Sequence, residues 1–534
     1  MRMRTRLLTA VLVAGLCLAG TPAVAVQPGS APAADSGNPG SWTATTITPE
    51  NVARAVAQLP AIVADVQART GVPGIALAVV YQDTVVTSAG FGVRAAGQPA
   101  AVDADTVFQM ASVSKPVAAT AVSRAVSRGT VGWDDEIRDY LPRFALDDGY
   151  VTRKVTIADL FSHRSGLPEH AGDDLEDIGY GRAEVLRRLR FLPLTSFRDT
   201  YAYTNFGLTA AAEAVARAAG SSWEGFAEKE LLEPAGMTSS SYRFSDYAAA
   251  TNKALTHVQV NGTWQHTETR DPQAQSPAGG LSSTANDMAR WLRLQLADGT
   301  LDGTQLIKPG VLQVMRSPHA ISGTSPDPAA RPGLYGYGIN TGVDGTGHVR
   351  WSHSGAFALG TGTVVSMIPA ADLGIVVLGN ARATGQVETV AESFMDIAQT
   401  GVVQRDWLTA FARVFDPLYV NTSVLAGRTP PAGAKPARPL SAYVGTYAND
   451  YVGIAHVVRA GSGLRLELGP KPMSFALTPW GGNRLDVYKR QVHAGRVAGG
   501  RRGAGHQAGV AHAQVRRRRD SLQCGCLLYT SRCV

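Results

Sequence analysis

The chain reads as a mixed α/β (α+β) protein: one antiparallel sheet flanked by helices, a helical lobe, and a truncated small β module behind them. Three observations predict this. Residues 74–92, GIALAVVYQDTVVTSAGFG, are two β-rich runs about a short polar turn. From Tyr335 onward, YGYGINTG, RWSHSGAFALGTGTVVSMIP and LGIVVLGN read as three more strands. The text between is mostly helical with polar loops, so strands from both ends share one sheet and the helices form a second lobe. A groove between the lobes is the natural place for a site.

Residues 1–25 carry three arginines, an apolar run from Leu7 to Ala19 and then Ala23-Val24-Ala25, the pattern of a cleavable secretory signal. The run is too short to span a bilayer, so the expectation is a secreted or periplasmic protein with no membrane span in the mature chain. Residues 26–47, rich in Pro, Gly, Ser and Ala, read as a flexible leader. The main domain is placed at 48–400. It opens with Thr48 as a cap, Pro49 at the first helical position and Glu50 at the positive helix end, starting a helix towards Gly71 that Pro60 is expected to break. Gln386–Gln399 and Val403–Phe415 look like helices; 401–438 is read as helix and Pro-rich linker, and 439–485 alternates like a small antiparallel β module with an open edge.

Residues 486–534 have no apolar periodicity and contain a block of four arginines. Asp486–Gln491 can be reverse-translated as GAT GTG TAT AAG AGA CAG. The complementary strand, read from its second base, then encodes Cys526–Ser531. Complementary copies of one element, resembling a transposon-end sequencing adaptor, therefore flank the tail, which is expected to be an assembly artefact without ordered structure.

That reading changes the charge argument. The tail carries ten Lys/Arg against two Asp/Glu. Removing its net +8 and the signal's +3 from the chain's +7 leaves the body at −4, which gives no footprint for nucleic acid or an anionic membrane surface. The four cysteines are Cys17, Cys524, Cys526 and Cys533, so the body has none for a disulfide, a thiol nucleophile or a cysteine zinc site. His163 and His170 with Asp173, Asp174, Glu176 and Asp177 match no zinc spacing and read as a solvated acidic loop with a structural His163; no metal and no cofactor are expected.

The chemistry begins at FQMASVSKP, residues 108–116. Side chains three apart share a helix face, so Ser112 can meet Lys115 while Ser114 cannot readily do so. Pro116 would clash deep in a helix, which puts Ser112 at the helix entrance, where free backbone N–H groups stabilise developing negative charge. A desolvated Lys115 could accept the serine proton. Ser112–Lys115 is the only S-x-x-K in the chain. Alone, the pair reads equally as a capping serine and a surface lysine.

Taken with YTNFG at 203–207 and HSG at 353–355, in that order, the stretch resembles the serine β-lactamase and penicillin-binding protein superfamily. The resemblance is to the class C β-lactamase and D-alanyl-D-alanine carboxypeptidase branch, and LFSHRSGLP at 160–168 and SPAGGLSSTANDMARWL at 276–292 add to it. It implies a β-lactamase/transpeptidase-like fold over roughly 50–400, and a small β domain such as D-aminopeptidases append. It further implies Ser112 as acylated nucleophile, Lys115 as its base and Tyr203 as proton shuttle. Asn205 would bind the substrate amide, and His353, Ser354 and Gly355 would line the groove where relatives have K-T-G or H-T-G. The oxyanion hole would be the N–H groups of Ser112 and Ala356.

His353 departs from the lysine pattern. An ordinary histidine is mostly neutral at pH 7, so a substrate carboxylate would be held less firmly and with more pH dependence, and His353→Lys should improve its handling. With no G-x-S-x-G elbow and no E-x-x-x-N between Lys115 and Tyr203, the expectation is an exported serine hydrolase. Its substrates would be D-amino-acid peptides or related amides and esters, for example peptidoglycan-derived, with no obligate protein partner. The alternatives are a class C-type β-lactamase and a penicillin-binding sensor that is acylated without turnover.

Overall fold

The computed structural model describes residues 44–266, 268–328, 330–419, 428–471 and 473–488, together with 515–516 and 521–522. The predicted signal, most of the leader and most of the tail lie outside the described residues.

Helix α1, Pro49–Thr70, starts where Thr48 Oγ1 accepts the Asn51 N–H at 3.2 Å and stops at Gly71, whose φ is +68°. The break expected at Pro60 does not occur. Pro60 sits on the exposed face, where water can serve the carbonyl it leaves unpaired, while Val52, Ala55, Leu59, Val63 and Val66 pack inward as one stripe. Strands β1 (Gly74–Tyr81) and β2 (Thr84–Gly92) form the predicted hairpin, turning through Gln82 and Asp83 with φ of +50° and +57°. Two successive left-handed residues match the twist of a tight hairpin.

Helices α2 (Ser114–Ser127), α3 (Asn205–Ala218) and α4 (Ala285–Leu296) are the longer helices of the lobe. The chain then returns through β3 (Ala320–Gly323), β4 (Gly333–Tyr335), β5 (Asn340–Val343), β6 (Val349–Phe357), β7 (Thr361–Ile368) and β8 (Leu373–Gly379). Five strands occupy the stretch read as three. RWSHSGAFALGTGTVVSMIP folds back at Gly360, whose φ is +119°, and YGYGINTG is split by a turn between Tyr335 and Asn340.

The sheet order is β2-β1-β8-β7-β6-β5-β4-β3, antiparallel throughout, so both ends of the domain meet at β1 and β8. Helices α1 and α5 (Gln386–Thr400) cover one face through Ile75, Leu77, Val79, Ile375, Val377 and Phe394. Helix α4 and the lobe cover the other, through Ala76, Ala78, Val376 and Leu378. Helix α6, Trp407–Phe415, starts four residues later than the sequence suggested because Asp406 caps it, accepting the Thr409 N–H.

The small β module is an antiparallel meander of β9 (Gly445–Asn449), β10 (Gly453–Ala460), β11 (Gly463–Leu468), β12 (Met473–Gly481) and β13 (Arg484–Tyr488). Its inward side chains, Tyr447, Val457, Leu464, Leu466 and Leu477, belong to the same core as the helical lobe. Strand β13 crosses the boundary expected at 486. Val515–Arg516 pairs beside β9, and Ser521–Leu522 pairs with Val515–Arg516. No helix among the described residues is long and apolar enough to cross a membrane.

Candidate active site

Ser112 lies in a single 3-10 turn, Ala111–Val113, that feeds α2. Ala111 is held at φ +46°, a conformation alanine rarely adopts. The sheet pins this turn: Thr363 Oγ1 on β7 donates to the Met110 carbonyl at 2.7 Å. On the neighbouring β6, a Cβ at Gly355 would stand 2.4 Å from Met110 O and 2.9 Å from the Ser112 nitrogen. Glycine is therefore the residue that lets β6 lie against the backbone of Ser112, with the Ala356 N–H next along the strand.

At the second residue of α2, Lys115 is fully buried, and three oxygens stand at hydrogen-bond distance from Nζ: Ser112 Oγ at 3.0 Å, Asn205 Oδ1 at 2.7 Å and the Ala278 carbonyl at 2.9 Å. A lysine ammonium has three donors and can donate to each of these oxygens. Its ammonium also sits 4.6 Å from the centroid of the Tyr203 ring. Ser114 is turned away; its hydroxyl donates to Ala111 O and accepts the Leu281 N–H.

Tyr203 lies two residues before the start of α3, and its ring is near both Lys115 and His163, tilted 45° to the imidazole with centroids 4.6 Å apart. Residues 163–170 hold this segment: Ala202 N donates to His163 O, His170 N donates to Tyr203 O, and Thr204 N donates to His163 Nδ1 at 3.2 Å. His163 Nδ1 is thus an acceptor and its proton is on Nε2. Burial, reinforced by the Lys115 charge, pushes the His163 pKa well below the ordinary histidine value.

Asn205 is fully buried and both ends of its amide are used. Oδ1 accepts from Lys115, and Nδ2 donates to Asp173 Oδ2 at 2.9 Å. The amide expected to hold substrate is engaged within the protein.

His353 differs most from expectation. It is buried, Nδ1 lies 2.7 Å from the Ser354 carbonyl, and Nε2 lies 3.0 Å from the Tyr335 hydroxyl. A carbonyl can only accept, so Nδ1 carries the proton and Tyr335 donates to Nε2. Burial first, and the Lys115 charge second, push its pKa down to about 3. The imidazole is neutral throughout the physiological range, and the pH-dependent grip on a carboxylate that the sequence suggested does not arise from it. Ser354, one residue on, points to the opposite side of the strand, towards Glu388 at the start of α5. Burial pushes the Glu388 pKa up to about 7, against the pull of its own backbone N–H and of Ser354.

The acidic segment is not a solvated loop. Asp173 is buried, the Glu176 side chain is largely covered and pairs with Arg270 and Gln275, and Asp174 accepts from Tyr451 of the module. Asp173 Oδ2 also lies 2.9 Å from His170 Nδ1. Sequence reasoning therefore missed Asp173, Ala278 and Tyr335 as neighbours of the site. The signal for Asp173 was Gly172, whose φ of +93° makes the turn that buries it.

A family model described as Beta-lactamase matches residues 52–399, which contain all of these groups except Tyr451. The chain belongs to the Beta-lactamase family. Among relatives, penicillin-binding protein 4 of Amycolatopsis lactamdurans is 32% identical over 258 residues, covering 46% of this chain and 65% of its own. An unguisins hydrolase of Aspergillus violaceofuscus is 25% identical over 427 residues, covering 72% and 74%. The chain spans about half to two thirds of the length of the first relatives it matches, 45% in one and 65% in another. The solved structure of the octameric penicillin-binding protein homologue from Pyrococcus abyssi superposes with a TM-score of 0.57 at 20% identity, over 79% of this chain and 90% of the other. That likeness supports the β-lactamase/transpeptidase-like fold.

Proposed function

We propose that the protein is an exported serine hydrolase that is acylated on Ser112. Its substrates in this reading are D-amino-acid peptides or related amides and esters, of the D-alanyl-D-alanine carboxypeptidase, D-aminopeptidase or esterase type. The observation that carries the reading is the buried Lys115 Nζ at 3.0 Å from Ser112 Oγ, at the start of a helix and against the strand whose Gly355 lies on the same turn.

With Lys115 neutral, Ser112 Oγ attacks the carbonyl carbon and gives its proton to Nζ, while the carbonyl oxygen takes up negative charge near the N–H groups of Ser112 and Ala356. Collapse breaks the bond to the amine or alcohol, which departs with that proton relayed through Tyr203. Water then attacks the ester, passing its proton back by the same route, and releases the acid with Ser112 restored. A neutral His353 in place of an ammonium favours peptidase or esterase chemistry over class C-type β-lactam hydrolysis. The names of the two relatives, a penicillin-binding protein and a hydrolase of unguisins, agree with acyl transfer on peptide-like substrates.

The test is turnover of p-nitrophenyl esters, a D-alanyl-D-alanine peptide, D-alanine p-nitroanilide and a fluorescent penicillin by the full chain and by Ser112→Ala. Ester or D-peptide turnover lost in the variant is expected. Stable penicillin labelling with no turnover would make the protein a sensor. Penicillin hydrolysis without ester or peptide turnover would make it a β-lactamase, and equal reaction of Ser112→Ala overturns the reading. Export is tested by N-terminal sequencing of protein recovered outside the cytoplasm, with cleavage after Ala25 expected.

A further inference from the structure

The buried acidic turn joins two parts of the molecule that the catalytic reading treats separately. On its inner side, Asp173 Oδ2 accepts from Asn205 Nδ2 and lies beside His170 Nδ1, each at 2.9 Å. On its outer side, the Tyr451 hydroxyl accepts the Gly172 N–H at 3.1 Å and donates to Asp174 Oδ1. One hydroxyl thus grips the residues on both flanks of Asp173.

Tyr451 is itself fixed. It sits in the β9–β10 turn, where Asn449 Oδ1 accepts the N–H groups of Tyr451 and Val452. Arg188 Nη1 donates to the carbonyls of Asp450 and Tyr451, and the Tyr180 hydroxyl donates to Val452 O at 3.1 Å. A Cβ at Gly453 would lie 2.3 Å from that hydroxyl, so the turn and the lobe are in close contact.

The inner contact has a specific consequence. A carboxamide can present oxygen or nitrogen to a neighbour, and only oxygen suits a lysine that is donating. A carboxylate accepts only, so Asp173 holds Nδ2 towards itself and thereby Oδ1 towards Lys115. We propose that Asp173 is the positioning residue of Lys115, acting through Asn205, and that Tyr451 of the C-terminal module holds Asp173 in place, making the module part of the acylating site's support. This rests on the acyl-enzyme reading above.

The test uses Asp173→Asn and Tyr451→Phe in the full chain. An asparagine can donate or accept and so loses the orientational lock, while phenylalanine removes one hydroxyl. Two readouts are taken: the kcat–KM split for a p-nitrophenyl ester, and hydrogen exchange of the peptides spanning 168–178 and 203–209.

For Asp173→Asn, kcat should fall about 30-fold or more with KM within about twofold, because the ground-state ester does not touch residue 173. For Tyr451→Phe, kcat should fall about 3- to 10-fold, and both peptides should exchange faster while α1 is unchanged. Wild-type kcat in Asp173→Asn overturns the proposal, as does unchanged exchange in Tyr451→Phe. Should Asp173→Asn fail to fold, Tyr451→Phe decides by the same two readouts. If wild type and Ser112→Ala are equally inert towards the ester, the acyl-enzyme reading has failed, and exchange of the Asn205 peptide in Tyr451→Phe alone decides the positioning claim.

Discussion

The Tyr335 hydroxyl donates to His353 Nε2 at 3.0 Å, and with Nδ1 on the Ser354 carbonyl this leaves the imidazole no ring nitrogen for a substrate carboxylate. A lysine at 353 would lose the Tyr335 bond and bring a second ammonium towards Lys115. His353→Lys is therefore expected to lower kcat/KM for ester and peptide substrates about 10-fold or more at pH 8, reversing the gain suggested by the sequence alone. Steady-state kinetics on substrates with and without a carboxylate check this; improved handling of the carboxylate substrate contradicts it.

The same imidazole makes the protein sensitive to acid. The folded pKa of about 3 lies below the ordinary 6.5, so the unfolded chain binds the proton first and stability falls as pH drops from about 6.5 towards 3. His163, lowered in the same direction, adds to the loss. For His353 alone the full span is about 5 kcal/mol at most. Urea unfolding between pH 4 and 7 should show a shallower slope in His353→Gln than in wild type.

Glu388 works in the opposite direction. Its folded pKa of about 7 exceeds the ordinary 4.5, so its contribution is intact below pH 4.5, declines as pH rises to 7, and stays lost above. Glu388→Gln should raise stability by up to about 3 kcal/mol at pH 8 and by little at pH 4.5. Denaturant midpoints at the two pH values measure the difference.

Gly355→Ala is expected to cost about 3 kcal/mol, because the added methyl meets backbone at Met110 and Ser112 as well as the Thr363 hydroxyl that is bonded to Met110. Acylation should fall with it, since the displaced atoms belong to the turn that carries Ser112. Thermal unfolding together with ester kinetics reads both, and a stable, fully active variant contradicts the assigned contact.

Much of this was legible in the residues because local rules governed it. The Thr48-Pro49-Glu50 cap, the 74–92 hairpin and the three-residue spacing from Ser112 to Lys115 each follow from neighbours in sequence. What was not legible depends on distant partners. Pro60 passes without a break because its face happens to be the wet one, and Gly360 turns the 350–369 run into a hairpin where His257 packs against it. The charge cluster at 173–177 looks solvated in one dimension. Its partners Asn205, Arg270 and Tyr451 lie tens to hundreds of residues away, and only folding brings them to it. The sequence alone implies an ordinary pKa for His353 for the same reason, since the burial and the Lys115 charge that move it are tertiary facts.

The most direct measurement is intact-protein and peptide mass spectrometry after brief exposure to an activated ester or a penicillin. The account predicts one acyl group, on the peptide carrying Ser112, absent in Ser112→Ala and much slower to form in Lys115→Ala. Acylation at another residue, or adduct formation that survives removal of the Ser112 hydroxyl, would contradict it.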